Sequence, residues 1–188
     1  MMTYVFVGLF SPGPNVVLLT ASGARFGFKA TVPHILGVAL GVGIIAGLTG
    51  LGIGVLILTV PWLIFGLKIV AALWILWMGW GLWQARPVTK RKTGIRPFTF
   101  VEAVLFQAVN PKIWIVALAA AIYVSDFPPS QQAMYLAAAF SGINLLVCLF
   151  WTWAGSLLSL LLNNPRAWQI SMRIMAVALA GFSLAVFL

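Results

Sequence analysis

Two short segments place prolines beside polar residues inside apolar sequence. They are Ser11–Asn15 (SPGPN) and Asn110–Lys112 (NPK). A proline inside a helix removes a backbone hydrogen bond and clashes with the preceding turn, so each segment predicts a broken helix. A helix that restarts after the break exposes free N–H groups and the positive end of its dipole. Two such ends, together with the Lys112 ammonium, have the chemistry of an anion site suited to a carboxylate.

The residues at each break are suited to starting a new helix. In the first segment, either Ser11 or Gly13 can be the N-cap, because each is followed directly by a proline. In the second, Asn110 can cap a helix that begins at Pro111. Serine, glycine and asparagine are favoured N-caps, and proline is favoured at the first helical position. The alternative at each break is a simple proline kink, which membrane helices tolerate.

The composition indicates that lipid surrounds most of the chain. Of 188 residues, 63% are hydrophobic and only 7% are charged, whereas soluble domains have about 25% charged residues. The net charge of +9 would suggest a nucleic-acid partner in a soluble protein. Here the basic residues fall mainly between apolar runs, so we expect no nucleic acid. One cysteine excludes an intramolecular disulfide and a multi-cysteine metal site, and we expect no cofactor.

The apolar runs predict an all-α polytopic membrane protein with about six transmembrane helices. A spanning helix needs about 20 apolar residues, and only helices or closed barrels satisfy the backbone in lipid. The runs are continuous rather than alternating, which favours helices. The predicted spans are 3–24, 35–58, 62–85, 99–125, 132–162 and 167–188.

The connecting segments predict the orientation. Basic residues follow the first, third and fifth spans, whereas the other side carries only the acidic Asp126. The positive-inside rule then puts both termini outside, in the periplasm. No basic residue precedes the first apolar run, which argues against a secretory signal peptide. The basic residues of the connections are Arg25, Lys29, Arg86, Lys90, Arg91, Lys92, Arg96 and Arg166.

The two breaks occupy matching positions in two halves of the chain. Each broken span is followed by two further spans, and three spans per half give the halves opposite orientations. Such an inverted repeat with paired interruptions is the best sequence pointer to a transport site. We expect a single transmembrane domain over 1–188, with repeat one at 1–86, a basic cytoplasmic loop at 87–98 and repeat two at 99–188. Lys112 lies roughly 20 Å along span four, near the membrane centre.

Two further patterns concern helix packing. In span five, Asn144, Cys148, Thr152 and Ser156 recur every four residues and form a polar stripe. The stripe either makes interhelical hydrogen bonds or lines a polar path, with Asn144 as its leading member. In span two, glycines recur in pairs four residues apart, which predicts close approach of other helices. These glycines are Gly37, Gly41, Gly43, Gly47, Gly50 and Gly54.

Three charged groups, Glu102, Lys68 and Asp126, are candidates for energy coupling. Glu102 is one of few groups that can carry a proton, although a surface pair with Arg96 also explains it. Lys68 either snorkels to the interface or serves as a partner for substrate or for Asp126. His34, at the inner mouth of span two, is interpreted as an interfacial residue rather than as a pH sensor.

The chain resembles the LysE/RhtB family of amino-acid exporters over essentially its whole length, and three segments carry the resemblance. They are SPGPN followed by ASGARFGF, Phe106–Trp114 (FQAVNPKIW) and Leu67–Trp83. The family carries a T-P-G-P-N-type motif in its first span and an N-P-K-type motif in its fourth. Ser11 replaces the usual threonine and keeps the hydroxyl, and Trp74 stands where tyrosine is common. The segment before the first motif is short, which leaves open a start further upstream.

The resemblance implies a bacterial inner-membrane secondary exporter of amino acids or close derivatives, driven by the proton gradient. The lack of interior acids favours small neutral zwitterions, and the lack of a Walker motif argues against direct use of ATP. The expected partners are an amino-acid substrate, protons and the bilayer, with homo-oligomerisation left open. The alternative is a non-transporting accessory subunit, while an intramembrane enzyme lacks a nucleophile–base pair. The predicted substrate-binding residues are Ser11, Pro12, Gly13, Pro14, Asn15, Asn110, Pro111, Lys112 and Asn144.

Overall fold

The computed structural model describes residues 1–54, 59–85, 96–161 and 164–187, which are predominantly helical and include no strand. Most of the predicted basic loop therefore lies outside the described residues. The helices are α1 (Met2–Phe10), α2 (Pro14–Phe26), α3 (Phe28–Gly50), α4 (Pro61–Trp83), α5 (Phe100–Val109), α6 (Pro111–Ala121), α7 (Pro129–Leu161) and α8 (Pro165–Ala185). A short 3-10 helix, Ile122–Val124, extends α6.

The order of the helices confirms a polytopic membrane protein with bent helices. Within the described ranges, α3, α4, α7 and α8 are each long and apolar enough to cross a bilayer. In the pairs α1–α2 and α5–α6, the two helices are long and apolar enough to cross a bilayer only when they are taken as one span. The pairs bend by 58° and 66° at their breaks. If each bent pair is one span, the described residues form six spans, and a broken span followed by two continuous ones occurs twice.

Span two begins earlier than the sequence predicts. The predicted start is residue 35, whereas α3 begins at Phe28 and contains Pro33. Pro33 lies within the first two turns, where the missing N–H removes a single hydrogen bond near an exposed helix end. The helix therefore continues through this proline, and the end predicted at 58 lies outside the described residues.

The helices pack as a central bundle beside a separate pair. The most extensive contact joins α3 and α7, which hold corresponding positions in the two halves of the chain. Part of each broken span also packs against the other half of the chain. From the first half, α2 packs on α7, and from the second half, α5 packs on α3. Helices α4 and α8 pack chiefly on each other. The two halves of the chain thus contact each other through parts of their broken spans.

The glycine pattern of α3 brings two neighbouring helices close to its backbone, as predicted. Gly37 and Gly41 face α5, and a Cβ added to Gly41 would lie 2.7 Å from the side chain of Gln107. Gly43 and Gly50 face α7, where added Cβ atoms would overlap that helix. Glycine at these positions is therefore required by space rather than by backbone conformation.

The connections define two ends of the bundle. The basic end is the one at Arg25, Lys29, Arg96 and Arg166, where α2, α4 and α7 end. The opposite end includes Asp126, which is exposed in the turn before α7. The two breaks lie between these ends, in the middle of their spans.

Candidate functional site

The side chain of Lys112 joins the two breaks directly. Its Nζ donates hydrogen bonds to the carbonyl oxygen of Ser11 at 2.6 Å and to that of Pro12 at 3.2 Å. Lys112 is in the first turn of α6, and Ser11 follows the last residue of α1, 101 positions earlier. The two interruptions are therefore in direct contact, which makes them one candidate site.

Of the two N-caps that the sequence allows at the first break, Ser11 and Gly13, the structure uses Gly13. Gly13 is the N-cap of α2, and Pro14 is the first helical residue. The Ser11 hydroxyl instead donates to the Gly8 carbonyl at 2.9 Å, so Ser11 closes α1 and does not cap α2. A serine hydroxyl that bonds back to the preceding turn is a common local alternative to capping.

Glycine at position 13 is explained by space. Its backbone is extended, with φ −179°, a conformation that any residue adopts. A Cβ at this position would, however, lie 2.9 Å from the Nζ of Lys112 and 3.0 Å from its Cδ. Gly13 therefore makes room for the lysine side chain to cross the break.

The second break follows the predicted order but not the predicted capping bond. Asn110 is the N-cap of α6 and Pro111 is the first helical residue, yet the Asn110 side chain makes no capping hydrogen bond. Its Nδ2 instead donates to Gln107 Oε1 at 3.3 Å, within the preceding helix. Asn110 is only 1% exposed. Its amide is therefore part of a buried polar network rather than a cap.

Gln107 is a site residue that the sequence predictions missed. Its Oε1 accepts from Asn15 Nδ2 at 2.8 Å, and its Nε2 donates to Asn15 Oδ1 at 3.2 Å and to the Ala103 carbonyl at 3.0 Å. The side chain is fully buried. The sequence feature that could have indicated Gln107 is a side-chain amide inside an apolar run. It lies three residues before Asn110 and hence on the same helix face. Gln107 connects Asn15 in the first break to Asn110 in the second.

A small void between the breaks contains polar atoms without partners. Its lining includes Gly13, Asn15, Asn110, Lys112 and Asn144. Within the described part of the chain, the Oδ1 of Asn110 and the Nδ2 of Asn144 are buried and have no hydrogen-bond partner. The void offers about 10 Å³, close to the space for one water molecule. One acceptor and one donor thus remain unsatisfied beside the Lys112 ammonium, which suits a small polar ligand.

The site is less purely cationic than the sequence predicts. The Lys112 ammonium has three N–H donors, and two of them bond carbonyl oxygens at the end of α1. These carbonyls have no donor within their own helix, which explains why a lysine is held there. The first turns of α2 and α6 still present N–H groups, for example those of Asn15 and Val16. Hydrogen-bond donors and carbonyl acceptors are therefore mixed around the Lys112 ammonium.

A larger cavity adjoins this site. It measures about 440 Å³ and is lined by Pro14, Asn110 and Lys112 from the breaks, by Lys68 from α4, and by Phe182 from α8. No acidic residue is among its described lining residues. Its further lining residues include Ile115 and Val116 of α6 and Ala185 and Val186 at the end of α8. Because α6 and the end of α8 lead away from the basic end, the cavity lies toward the opposite end.

The three coupling candidates occupy different places. Lys68 lines the larger cavity, and the described residues contain no ion pair between Lys68 and Asp126. Glu102 accepts two hydrogen bonds from Arg96, at 2.7 and 2.8 Å, and forms a capping box with Thr99. These bonds raise the pKa of the exposed Arg96 guanidinium. The surface pair between Glu102 and Arg96 is thus present at the basic end, about 12 Å along α5 from Asn110.

His34 lies near the basic end, but its side chain is buried in the protein rather than exposed there. The side chain is only 3% exposed, because the ring packs against Phe98 with centroids 5.2 Å apart. The polar stripe of α7 also faces the interior, since Asn144, Cys148 and Thr152 are all buried. Of the stripe, only Asn144 borders the void between the breaks.

Comparisons with known proteins agree with the geometry. The family model described as LysE type translocator matches residues 6–188. The chain is 28% identical over 152 residues to the cysteine/O-acetylserine efflux protein of Salmonella typhi, covering 80% of this chain and 74% of that protein. It is 26% identical over 161 residues to the protein of the same description in Escherichia coli (strain K12), covering 82% and 80%. No solved structure matches the chain significantly. The chain therefore belongs to the LysE type translocator family.

Proposed function

We propose that this protein is a secondary active exporter of amino acids or close derivatives in the bacterial inner membrane. The main support is the contact between the two breaks, in which the Lys112 ammonium reaches the Ser11 carbonyl at 2.6 Å. Paired helix breaks that meet at mid-membrane are the usual architecture of a transporter site. The relatives are named for efflux of cysteine and O-acetylserine, which are both small zwitterions.

The polar groups around the void match the two ends of an amino acid. The adjoining cavity of about 440 Å³, which shares Asn110 and Lys112 with the void, supplies the room for the substrate that the void itself lacks. The substrate carboxylate accepts hydrogen bonds from the first-turn N–H groups of α2 and α6, from Asn144 Nδ2 and from the third N–H of Lys112. The substrate ammonium donates to Asn110 Oδ1, which has no partner in the described structure. The described lining of both cavities contains no acid, so a second cationic group would lack a counter-charge. This favours small neutral substrates over lysine or arginine.

An asymmetry between the two ends supports alternating access. At the basic end, Gly23 contacts the Thr152 carbonyl and Gly155 contacts the Thr20 carbonyl, so α2 and α7 meet backbone to backbone. The larger cavity instead extends from Lys112 toward the opposite end. With the basic end in the cytoplasm, this is an outward-facing state. Export then requires α2 and α5 to separate from α7 and α3 in the other half of the cycle.

We propose that the exporter is driven by the proton gradient, as the family resemblance implies. Among the three coupling candidates, Lys68 is the one that lines the cavity beside Lys112. Glu102 is already bonded to Arg96, and Asp126 is exposed at the opposite end. Lys68 is therefore the first of the three to test as a coupling group.

Counterflow in proteoliposomes tests the proposed function. The panel contains cysteine, O-acetylserine, other small neutral amino acids and lysine, each with and without a pH gradient. We expect saturable exchange of small neutral zwitterions, faster with the gradient, and little exchange of lysine. Equal background signals for the whole panel would instead favour the non-transporting accessory subunit.

A variant of Lys112 tests the binding site. Lys112→Met keeps the chain length and removes the charge, so we expect a roughly 10- to 100-fold loss of exchange from the lost charge-assisted hydrogen bonds. Lys29→Met is the matched control, because Lys29 is an exposed lysine at the basic end. Rates are normalised to the amount of reconstituted protein. A wild-type rate in Lys112→Met would exclude the proposed carboxylate site.

A further inference from the structure

A separate cavity lies at the basic end, away from the two breaks. It measures about 330 Å³ and is lined by residues of α2, α3 and α4 and by the segment before α5. Its polar lining includes Arg25, His34, Gln84 and Arg96. None of the residues of SPGPN or NPK is in its lining, so it is distinct from the proposed amino-acid site.

The cavity contains a cation without a counter-charge. The Nε of Arg25 is buried and has no hydrogen-bond partner, and among the described residues the only ion pair is between Arg96 and Glu102. The Arg25 guanidinium lies over the Phe26 ring, 5.1 Å from its centroid. A partly buried charge is normally paired, and a guanidinium suits the oxygens of a phosphate in a two-pronged arrangement.

A second unpartnered donor or acceptor lines the same cavity. The Nδ1 of His34 is buried and has no hydrogen-bond partner within the described ranges. The imidazole can donate to a phosphate oxygen through a ring N–H. Two side chains that line the cavity, Arg25 on α2 and His34 on α3, thus each carry a nitrogen without a hydrogen-bond partner.

The walls of the cavity indicate a ligand with an apolar part. Trp77 and Trp80 are 65% and 63% exposed on the outer face of α4, and both line the cavity. Leu18, Met78 and Leu82 supply further apolar walls. Tryptophans at the end of a spanning helix mark the lipid–water interface. A ligand that enters past them comes from the bilayer, with its apolar chain along α4.

The sequence next to the cavity adds positive charge. Four basic residues lie between Gln84 and Arg96, which both line the cavity. Basic clusters beside spanning helices attract anionic lipids, and basic pockets between such helices bind their head groups. The four residues are Arg86, Lys90, Arg91 and Lys92.

We propose that this cavity binds the phosphate head group of an anionic phospholipid, with Arg25 as the principal ligand and His34 as a second donor. The head group enters between α2 and α4, and an acyl chain packs along Trp77 and Trp80. The proposal concerns lipid binding and does not depend on the transported substrate. A soluble phosphate shares the head-group chemistry but lacks the acyl chain.

Thermal unfolding of the purified full-length protein in detergent tests the proposal. The additives are phosphatidylglycerol, phosphatidylcholine with the same acyl chains, glycerol 3-phosphate and inorganic phosphate. We expect saturable stabilisation by phosphatidylglycerol and little from the other three. Arg25→Gln should raise the apparent Kd for phosphatidylglycerol roughly tenfold or more, because charge-assisted hydrogen bonds are lost. Lys29→Gln, which removes an exposed charge four residues away, should leave the Kd within about twofold.

The remaining outcomes decide between specific and non-specific binding. Equal stabilisation by phosphatidylcholine, or equal Kd values for Arg25→Gln and Lys29→Gln, would overturn the proposal. Stabilisation by inorganic phosphate that matches phosphatidylglycerol would assign the cavity to a soluble anion and would also overturn it. If Arg25→Gln does not fold, Arg25→Lys keeps the charge without the planar fork and should weaken binding to a smaller extent. Because the readout is lipid binding, a failure of the transport assay leaves this result interpretable.

Discussion

At the scale of single residues, the site depends on side chains that cross between the two halves of the chain. Lys112 bonds the carbonyls of Ser11 and Pro12, and Gln107 bonds Asn15. Both contacts join residues more than 90 positions apart. Removing the Gln107 side chain leaves the amide of the buried Asn110 without its partner, which costs more than the bond itself contributes.

Gly13 gives a prediction about the position of Lys112. A methyl group in Gly13→Ala would lie within 3 Å of the flexible end of the lysine and displace it from the first break. We expect a marked loss of exchange with a change of less than about 1 kcal/mol in stability, because alanine adopts the extended backbone easily. Exchange rate and thermal unfolding are measured together. Gly142→Ala is the control, since no atom lies within 4 Å of the added Cβ there.

Gln107 gives a prediction about stability. Gln107→Leu keeps a similar volume and leaves the amides of Asn15 and Asn110 without their partner. We expect a loss of about 1–3 kcal/mol for the unsatisfied buried groups, seen as a lower unfolding temperature in detergent. Gln131→Leu should have little effect, because Gln131 is exposed at the start of α7. Equal effects of the two substitutions would show that the buried amide network contributes no stability.

At the scale of elements, the broken helices are held by contacts of glycine with backbone. Gly23 and Gly155 lie on α2 and α7 and each contacts a carbonyl of the other helix, that of Thr152 or that of Thr20. The approach is too close for any Cβ, so a side chain at either glycine must separate the helices. This contact closes the basic end, and it is the place where the proposed transport cycle has to open.

Alkylation of the single cysteine tests this contact between α2 and α7. Cys148 is 1% exposed on α7, about two turns before Gly155. Gly155→Leu should push α2 away and raise the rate of Cys148 alkylation by N-ethylmaleimide at least severalfold. Gly142→Leu, on an open part of the same helix, should leave the rate near that of the wild type. An unchanged rate in Gly155→Leu would mean that the helices do not separate there.

At the scale of the whole molecule, the two ends differ in charge and in closure. The basic end holds Arg25, Arg96 and the proposed lipid cavity, whereas the proposed amino-acid cavity extends toward the other end. The direction of transport thus depends on how the molecule lies in the membrane. The positive-inside rule predicts the basic end in the cytoplasm.

Labelling from one side of the membrane tests this orientation. In a Cys148→Ser background, Lys29→Cys and Asp126→Cys place one thiol at each end, and both positions are exposed. In intact cells, a membrane-impermeant maleimide should label Asp126→Cys and leave Lys29→Cys unlabelled until the cells are opened. The reverse pattern would place the basic end outside and would make the proposed outward-facing state inward-facing.

The sequence by itself determined the polytopic helical architecture and the positions of both breaks. It also gave the pairing of Glu102 with Arg96 as one of two interpretations. These features depend on local properties, namely hydropathy, the chemistry of proline and the spacing of opposite charges. Only the tertiary structure decided that Gly13 rather than Ser11 starts α2, that Lys112 bonds the first break, that Gln107 connects the two breaks, and that His34 is buried. Each of these depends on which distant segment lies opposite, and a single sequence does not encode that in its local pattern.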